Sequence, residues 1–197
     1  MVFAMEKEGV SVELRRAQQA WAAGIQNFHI ARWEELSDLE LYMDQVITFL
    51  NRHLAPLLEE DRELVTAAMV NNYVKQGLIP KPEKKKYTRR HVAYLMTITI
   101  LKQVLTITEI RDGIVLYTRQ MGTAQRSYDH FCEEMELALG LVCNQLTNAE
   151  PHLDRLEVPP AELVMLRMAA TSFVCKLAAR KAMALQTNWL KQEEAKT

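Results

Sequence analysis

Between Met69 and His91 the chain carries Lys75, Lys81, Lys84, Lys85, Lys86, Arg89 and Arg90 against a single acid, Glu83, although the whole sequence has a formal net charge of -1. Cations set opposite phosphates release the condensed counterions of a duplex, and that release supplies most non-specific affinity for DNA. The field at a surface follows local charge density, so near-neutrality overall does not exclude a nucleic-acid partner. Lysines alone read no sequence. Just upstream, however, Asn71, Asn72 and Lys75 sit on a short helical pattern, and Asn can pair bidentately with the adenine edge in the major groove. A helix that reads bases beside a loop that fixes register on phosphates makes a DNA-binding unit. Taken alone, the lysine run reads as a solvated loop. Its place between a Gly-capped short helix and a Thr-capped apolar one favours DNA.

The elements that must position these groups read as helices. Ala, Leu, Glu, Lys, Gln, Arg and Met recur through 197 residues with only six Gly and six Pro, which predicts an all-α chain. Ser11 is read as the N-cap of a helix to about Asn27, weakened at Gly24. Ser37 and Glu40 have capping-box spacing, and Leu39, Met43, Val46, Ile47, Leu50 and Leu54 follow at threes and fours until Pro56 stops the pattern. Thr66 caps a short helix, Ala67 to Gln76, in which Met69, Val70, Tyr73 and Val74 can face a core. Gly77 ends it in left-handed geometry, with Leu78 packed on the end. PKPEKKKY, residues 80–87, excludes a helix.

Thr88 caps the next helix, apolar around nearly its whole circumference from Val92 to Val104 and so expected at the centre of the domain. Thr106 and Glu109 open a helix to about Tyr117, and a boundary is expected near 119–123. Two long patterns follow, at about 124–146 and 160–191, separated by a proline-bearing loop, with Pro160 at a first helical position. In the last, Leu163, Leu166, Ala170, Phe173, Leu177 and Ala184 repeat in threes and fours, suited to helix–helix packing. The organisation expected is an N-terminal helical arm over 1–36 with no assigned function, a DNA-binding domain over 37–118, and a helical dimerisation or effector region over 119–197.

The stretch MVNNYVKQGLIPKP resembles the MerR pattern of a recognition helix, an aromatic pair and Gly-Leu-Leu-Pro ahead of a wing. The similarity continues through KKKYT into a buried helix, and LTITEI resembles the family's entry into its fourth helix. WEELSDLELYMDQVITFL, MVNNYVKQGLIPKPEKKKYTRRHVAYL and ILKQVLTITEI further resemble a bacterial family of MerR-related proteins catalogued as a domain of unknown function. The likeness spans roughly residues 33 to 117. It implies a winged helix-turn-helix, with helix 67–76 in the major groove, residues 80–87 as the wing along the backbone, and a homodimer on a symmetric operator joined through the C-terminal helices. Val70, Asn71, Asn72 and Tyr73 stand where MerR proteins usually show Leu-Arg-Tyr-Tyr, so only the second Tyr is kept. The turn from Leu54 to Val65 is longer than that superfamily's.

The residues expected at double-stranded DNA are Thr66, Asn71, Asn72, Tyr73, Lys75, Lys81, Lys84, Lys85, Lys86, Tyr87, Arg89 and Arg90. Tyr73 and Tyr87 also suit core packing, and His91 reads as a packed or surface residue. His130 and Cys132 lie near carboxylates, but two residues apart on a helix they face different ways, so no metal site is expected. Three cysteines without close pairing fit a reducing compartment and read as small buried apolar residues. Met135, Leu137, Leu139, Leu141, Met165 and Met168 read as core or dimer interface, with a pocket for an unknown apolar small-molecule effector as the sharper alternative. No nucleophile with an adjacent base and no phosphate-cradling glycine loop occurs, so no enzyme and no cofactor is expected. No basic leader and no run of about 20 apolar residues appears, which points to the cytoplasm and not a membrane. The function expected is transcriptional regulation, with repression, which needs only occupancy, preferred over activation. A non-enzymatic helical adaptor, binding a partner protein through its C-terminal helices, is the rival from another class.

Overall fold

The computed structural model of the chain describes residues 2–58, 64–147 and 160–195, and among these it is all-helical. Seven α-helices follow in order: α1 Val2–Ile25, α2 Met43–Leu58, α3 Ala67–Lys75, α4 Arg89–Leu101, α5 Ile107–Met121, α6 Ala124–Thr147 and α7 Val164–Glu194. α4 lies at the centre, as its apolar circumference requires, and packs against α2, α5, α6 and α7. α1 lies against α6 and α7, and buried side chains from Ala22 to Leu177 join in one cluster.

Several local expectations shift. α1 begins at Val2, so Ser11 lies inside it rather than at its start; the residues upstream include good helix formers that carry the helix on. Gly24 falls in its last turn. α2 begins at Met43 rather than after Ser37, and Leu39 is 71% exposed. The reason is long-range: Leu41 exchanges two backbone hydrogen bonds of 2.8 Å with Tyr87, which holds this segment extended. The Ser37 hydroxyl accepts only from the Leu39 N–H, and Gln45 Oε1 accepts the Tyr42 N–H at the true helix start. Pro56 lies within α2, which runs on to Leu58 because Leu57 and Leu58 are both buried. Pro160 precedes a 3-10 turn, Ala161–Leu163, and the α-helix begins at Val164, four residues beyond Pro160. The loop expected between the last two helices falls at 148–159, outside the described residues, as do 59–63 of the turn after α2.

The segment between α1 and α2 has only a 3-10 turn, Trp33–Glu35, and buries Ile30, Ala31 and Leu36, so the backbone polar groups there need partners. Glu136 on α6 accepts the Ile30 N–H at 2.9 Å, and both its oxygens accept from the Arg32 guanidinium at 2.7 and 2.6 Å. Burial opposes ionisation of Glu136, but Arg32 and the Ile30 N–H outweigh it and hold the carboxyl below its ordinary value. The Tyr128 hydroxyl donates to the Ala31 carbonyl at 2.9 Å, and Asp129 accepts the Trp33 N–H at 2.7 Å.

In α7 the expected stripe is buried at Leu166, Ala170, Phe173 and Leu177, with Leu163 partly so, but Ala184 is exposed. Cys132 and Cys143 are buried, and burial pushes their thiols up to about 12 and about 11, whereas Cys175 is exposed, against the expectation. α6 and α7 are tied by a bidentate Glu134–Arg167 pair, in which Glu134 is only 5% exposed. Removing one partner strands a charge in low dielectric. Glu134→Ala is expected to lower unfolding free energy by about 3 kcal/mol or more, while Glu134→Leu with Arg167→Met recovers most of the loss. Urea denaturation midpoints of the three proteins check this.

Candidate nucleic-acid interface

α3 is nine residues long and is built at both ends from local chemistry. Thr66 Oγ1 accepts the Met69 N–H at 3.3 Å. At the other end Gln76 is the cap, Gly77 takes a φ of 68°, and the Leu78 and Gly77 N–H groups return to the carbonyls of Tyr73 and Val74 at 2.9 and 3.0 Å. This is the paired closure expected when a left-handed glycine ends a helix, and Leu78 is buried with it.

What docks α3 on α2 is a residue overlooked in the sequence. Asn51 sits between Leu50 and Leu54 on the buried side of α2. Its side-chain oxygen accepts the Val65 N–H at 2.9 Å and its amide donates to the Val65 carbonyl at 3.1 Å. Lys102, at the end of α4, donates to the neighbouring Leu64 carbonyl at 2.9 Å. The residues immediately before the Thr66 cap are therefore clamped from two helices. A lone Asn within an apolar stripe was the available signal.

The faces of α3 divide into a buried apolar side and an exposed one. Val70 and Tyr73 are buried, Val74 is partly so, and Ala67, Ala68, Asn71, Asn72 and Lys75 are exposed. Met69, read as core-facing, is also exposed. Two alanines at the first turn leave the backbone uncovered, and the polar groups follow one turn on. Asn72 Oδ1 accepts from the Gln76 amide at 3.2 Å, while its own amide is left to donate elsewhere.

Residues 80–87 form a miniature hairpin. The Lys86 N–H donates to the Glu83 carbonyl at 2.8 Å, and Lys84 and Lys85 between them have φ of 47° and 63°. Positive φ at both central residues marks the turn that fits a hairpin's twist, and Asn-Gly is its preferred pair. Lysine at such positions costs about 1 kcal/mol or more each. The arrangement throws both side chains into solvent, and Lys81 is exposed nearby.

Not all of the expected DNA-contacting residues join this surface. Tyr73 and Tyr87 are core residues, 5% and 3% exposed, and burial raises both phenols above their ordinary value. Lys86 pairs with Glu40 at 3.2 Å, and Arg89 with Glu34 at 2.9 Å, where Gln125 also donates to Glu34. Arg90 lies over the Tyr94 ring, 5.5 Å from its centre. Apart from Arg90, the expected contacts that remain exposed are thus Asn71, Asn72, Lys75, Lys81, Lys84 and Lys85, with Thr66 serving as the cap.

A family model covers residues 31–135, somewhat more than half of the chain, under the description domain of unknown function DUF1836. The chain belongs to the DUF1836 family. No curated protein and no solved structure matches it. The matched span of this DUF1836 chain contains α2 to α5, the hairpin and the first half of α6, so it encloses the whole exposed cluster together with the helices that hold it. Among the described residues no group of three or more His, Cys, Asp or Glu could hold a metal ion, and His130 Nδ1 instead meets the Tyr117 hydroxyl at 2.8 Å. No described helix is long and apolar enough to cross a membrane.

At the base of the hairpin, His91 Nδ1 accepts the Thr88 N–H at 3.0 Å, closing the cap of α4, and the ring packs edge-on against Tyr87. Burial holds His91 below its ordinary value, with Arg90 assisting and the Pro80 carbonyl opposing. The folded state therefore prefers the neutral ring, and stability is lost as pH falls below about 6.5. Half-buried His53 adds a share of the same sign. His91→Gln keeps the capping-box chemistry and is expected to show a smaller stability drop between about pH 7.5 and about pH 5.5 than wild type, read by urea denaturation. Lys84→Asn with Lys85→Gly is expected to raise unfolding free energy by about 1 kcal/mol, measured by thermal unfolding.

Proposed function

We propose that this protein is a DNA-binding transcriptional regulator of the MerR-like winged helix-turn-helix kind, acting as a repressor and binding a symmetric operator as a homodimer. In this reading α2 and α3 form the helix-turn-helix, α3 enters the major groove, and the hairpin over 80–87 is the wing. Ala67 and Ala68 let the α3 backbone approach the groove floor, Asn71 and Asn72 read base edges, and Lys75, Lys81, Lys84 and Lys85 meet phosphates. The observation that carries the reading is the turn: two lysines occupy strained left-handed positions in the loop that follows a helix with an exposed polar face. Strain of this kind collects at functional sites, where the residue type matters more than its conformational cost.

Apolar side chains left exposed at Val115 and Leu116 on α5 and at Met168 on α7 supply the surface for a twofold partner. Two α3 helices would then address half-sites about one helical turn apart. The adaptor reading draws on the same apolar surface, but gives no reason for lysine at the two strained positions.

Affinity for a genomic operator fragment, measured across a salt series, tests the proposal. Lys84→Asn with Lys85→Gly removes two phosphate contacts, so it should weaken binding at least tenfold at physiological salt and flatten the log–log salt slope by about 2. A variant that binds DNA as tightly as wild type, with the same slope, removes the wing from the account.

A further inference from the structure

A cleft opens between α4, α5, α6 and α7, with about 70 Å³ of its own space continuing through a wide mouth into solvent. Its α4 wall runs from Arg90 to Leu101, a rise of about 16 Å along the helix, so the cleft is elongated rather than round. The floor is aliphatic, with Leu101, Ile110, Ile114, Met165 and Leu166 among its residues. Gly113 lies in the middle of α5, where glycine weakens a helix relative to alanine. A Cβ there would stand 3.3 Å from the Met165 terminal methyl, so the glycine keeps space open at the cleft wall.

The two ends differ in charge. Arg90 marks one end, its guanidinium held over the Tyr94 ring and donating to the Tyr94 hydroxyl at 3.3 Å. Among the described residues it has no carboxylate partner. Glu109, in the first turn of α5, belongs to the other end, and its carboxylate already accepts the Thr106 N–H and hydroxyl at 2.7 and 2.8 Å. An elongated apolar molecule with an anionic head therefore has one favoured orientation.

We infer that this cleft binds a medium-chain alkyl carboxylate, with the carboxylate on Arg90 and the chain along Leu101, Ile110 and Met165. The tail gains from leaving water, and the head pairs with a guanidinium shaped for a carboxylate. Arg90 is partly in solvent, so the charge contributes preference more than affinity. The site does not rest on the DNA reading, and its test needs no DNA.

Calorimetric titration of the full chain with octanoate, and separately with octanol, tests the assignment. Saturable one-to-one binding is expected, with octanoate tighter than octanol by up to about fivefold. Arg90→Leu should bring the two to equal affinity, and Gly113→Leu should abolish both. Gly113→Ala, which moves the Met165 methyl by a few tenths of an ångström while strengthening α5, should weaken both several-fold and serves if the larger substitution does not fold. Absence of saturable binding, equal affinity of acid and alcohol for wild type, or an acid preference retained in Arg90→Leu would overturn the inference.

Discussion

Leu41 and Tyr87 exchange two backbone hydrogen bonds, and the geometry of the exposed polar surface depends on that exchange. It pins the strand leading out of the lysine turn to the segment entering α2, so the hairpin cannot swing away from the helices. Because Tyr87 is buried beside His91, the pairing also fixes where α4 begins. With both flanks held, Glu83 and Lys86 close on each other and the two lysines between them are forced to positive φ. A free loop of this composition would relax to ordinary backbone angles; here the surrounding structure over-determines the turn.

A second constraint acts on the partner helix. α3 is too short to be stable alone, since isolated helices below about 12 residues are marginal in water. Its ends are closed by Thr66 and Gly77, and its entry is clamped by Asn51 and Lys102. The polar face is therefore presented by a rigid element, and the ordering entropy is met in folding rather than at the moment of binding. The same principle recurs at residues 30–33, where α6 side chains satisfy the backbone between α1 and α2 and tie that segment to α6.

Much of this was legible in the sequence, for physical reasons that differ between elements. The limits of α3, the opening of α5 at Thr106 and the central burial of α4 rest on local capping and on helical periodicity, which act within a few residues. The start of α2 was misread because a capping-box spacing at Ser37 competes with a pairing between positions 46 residues apart, which no local rule detects. The left-handed lysines were equally hidden: turn preferences point to Asn or Gly at such sites. Asn51 was visible as a polar residue inside an apolar stripe, yet its target, the Val65 backbone, is defined only by the fold. Tyr73 and Tyr87 had two readings, and burial decides for the core. The charge cluster was legible as composition, but not that Lys86 and Arg89 are spent on Glu40 and Glu34 while the others remain exposed.

On the proposed reading, a rigid short helix and a strained basic turn together read duplex DNA. This reading is tested most directly by selecting genomic fragments with the purified chain at physiological salt, where specific binding should exceed non-specific binding by about a thousandfold or more. Enrichment of one short inverted repeat, with half-sites about one helical turn apart, is the result the account expects. Recovery of fragments without a common sequence, from repeated selections in the presence and absence of cell extract, would contradict it.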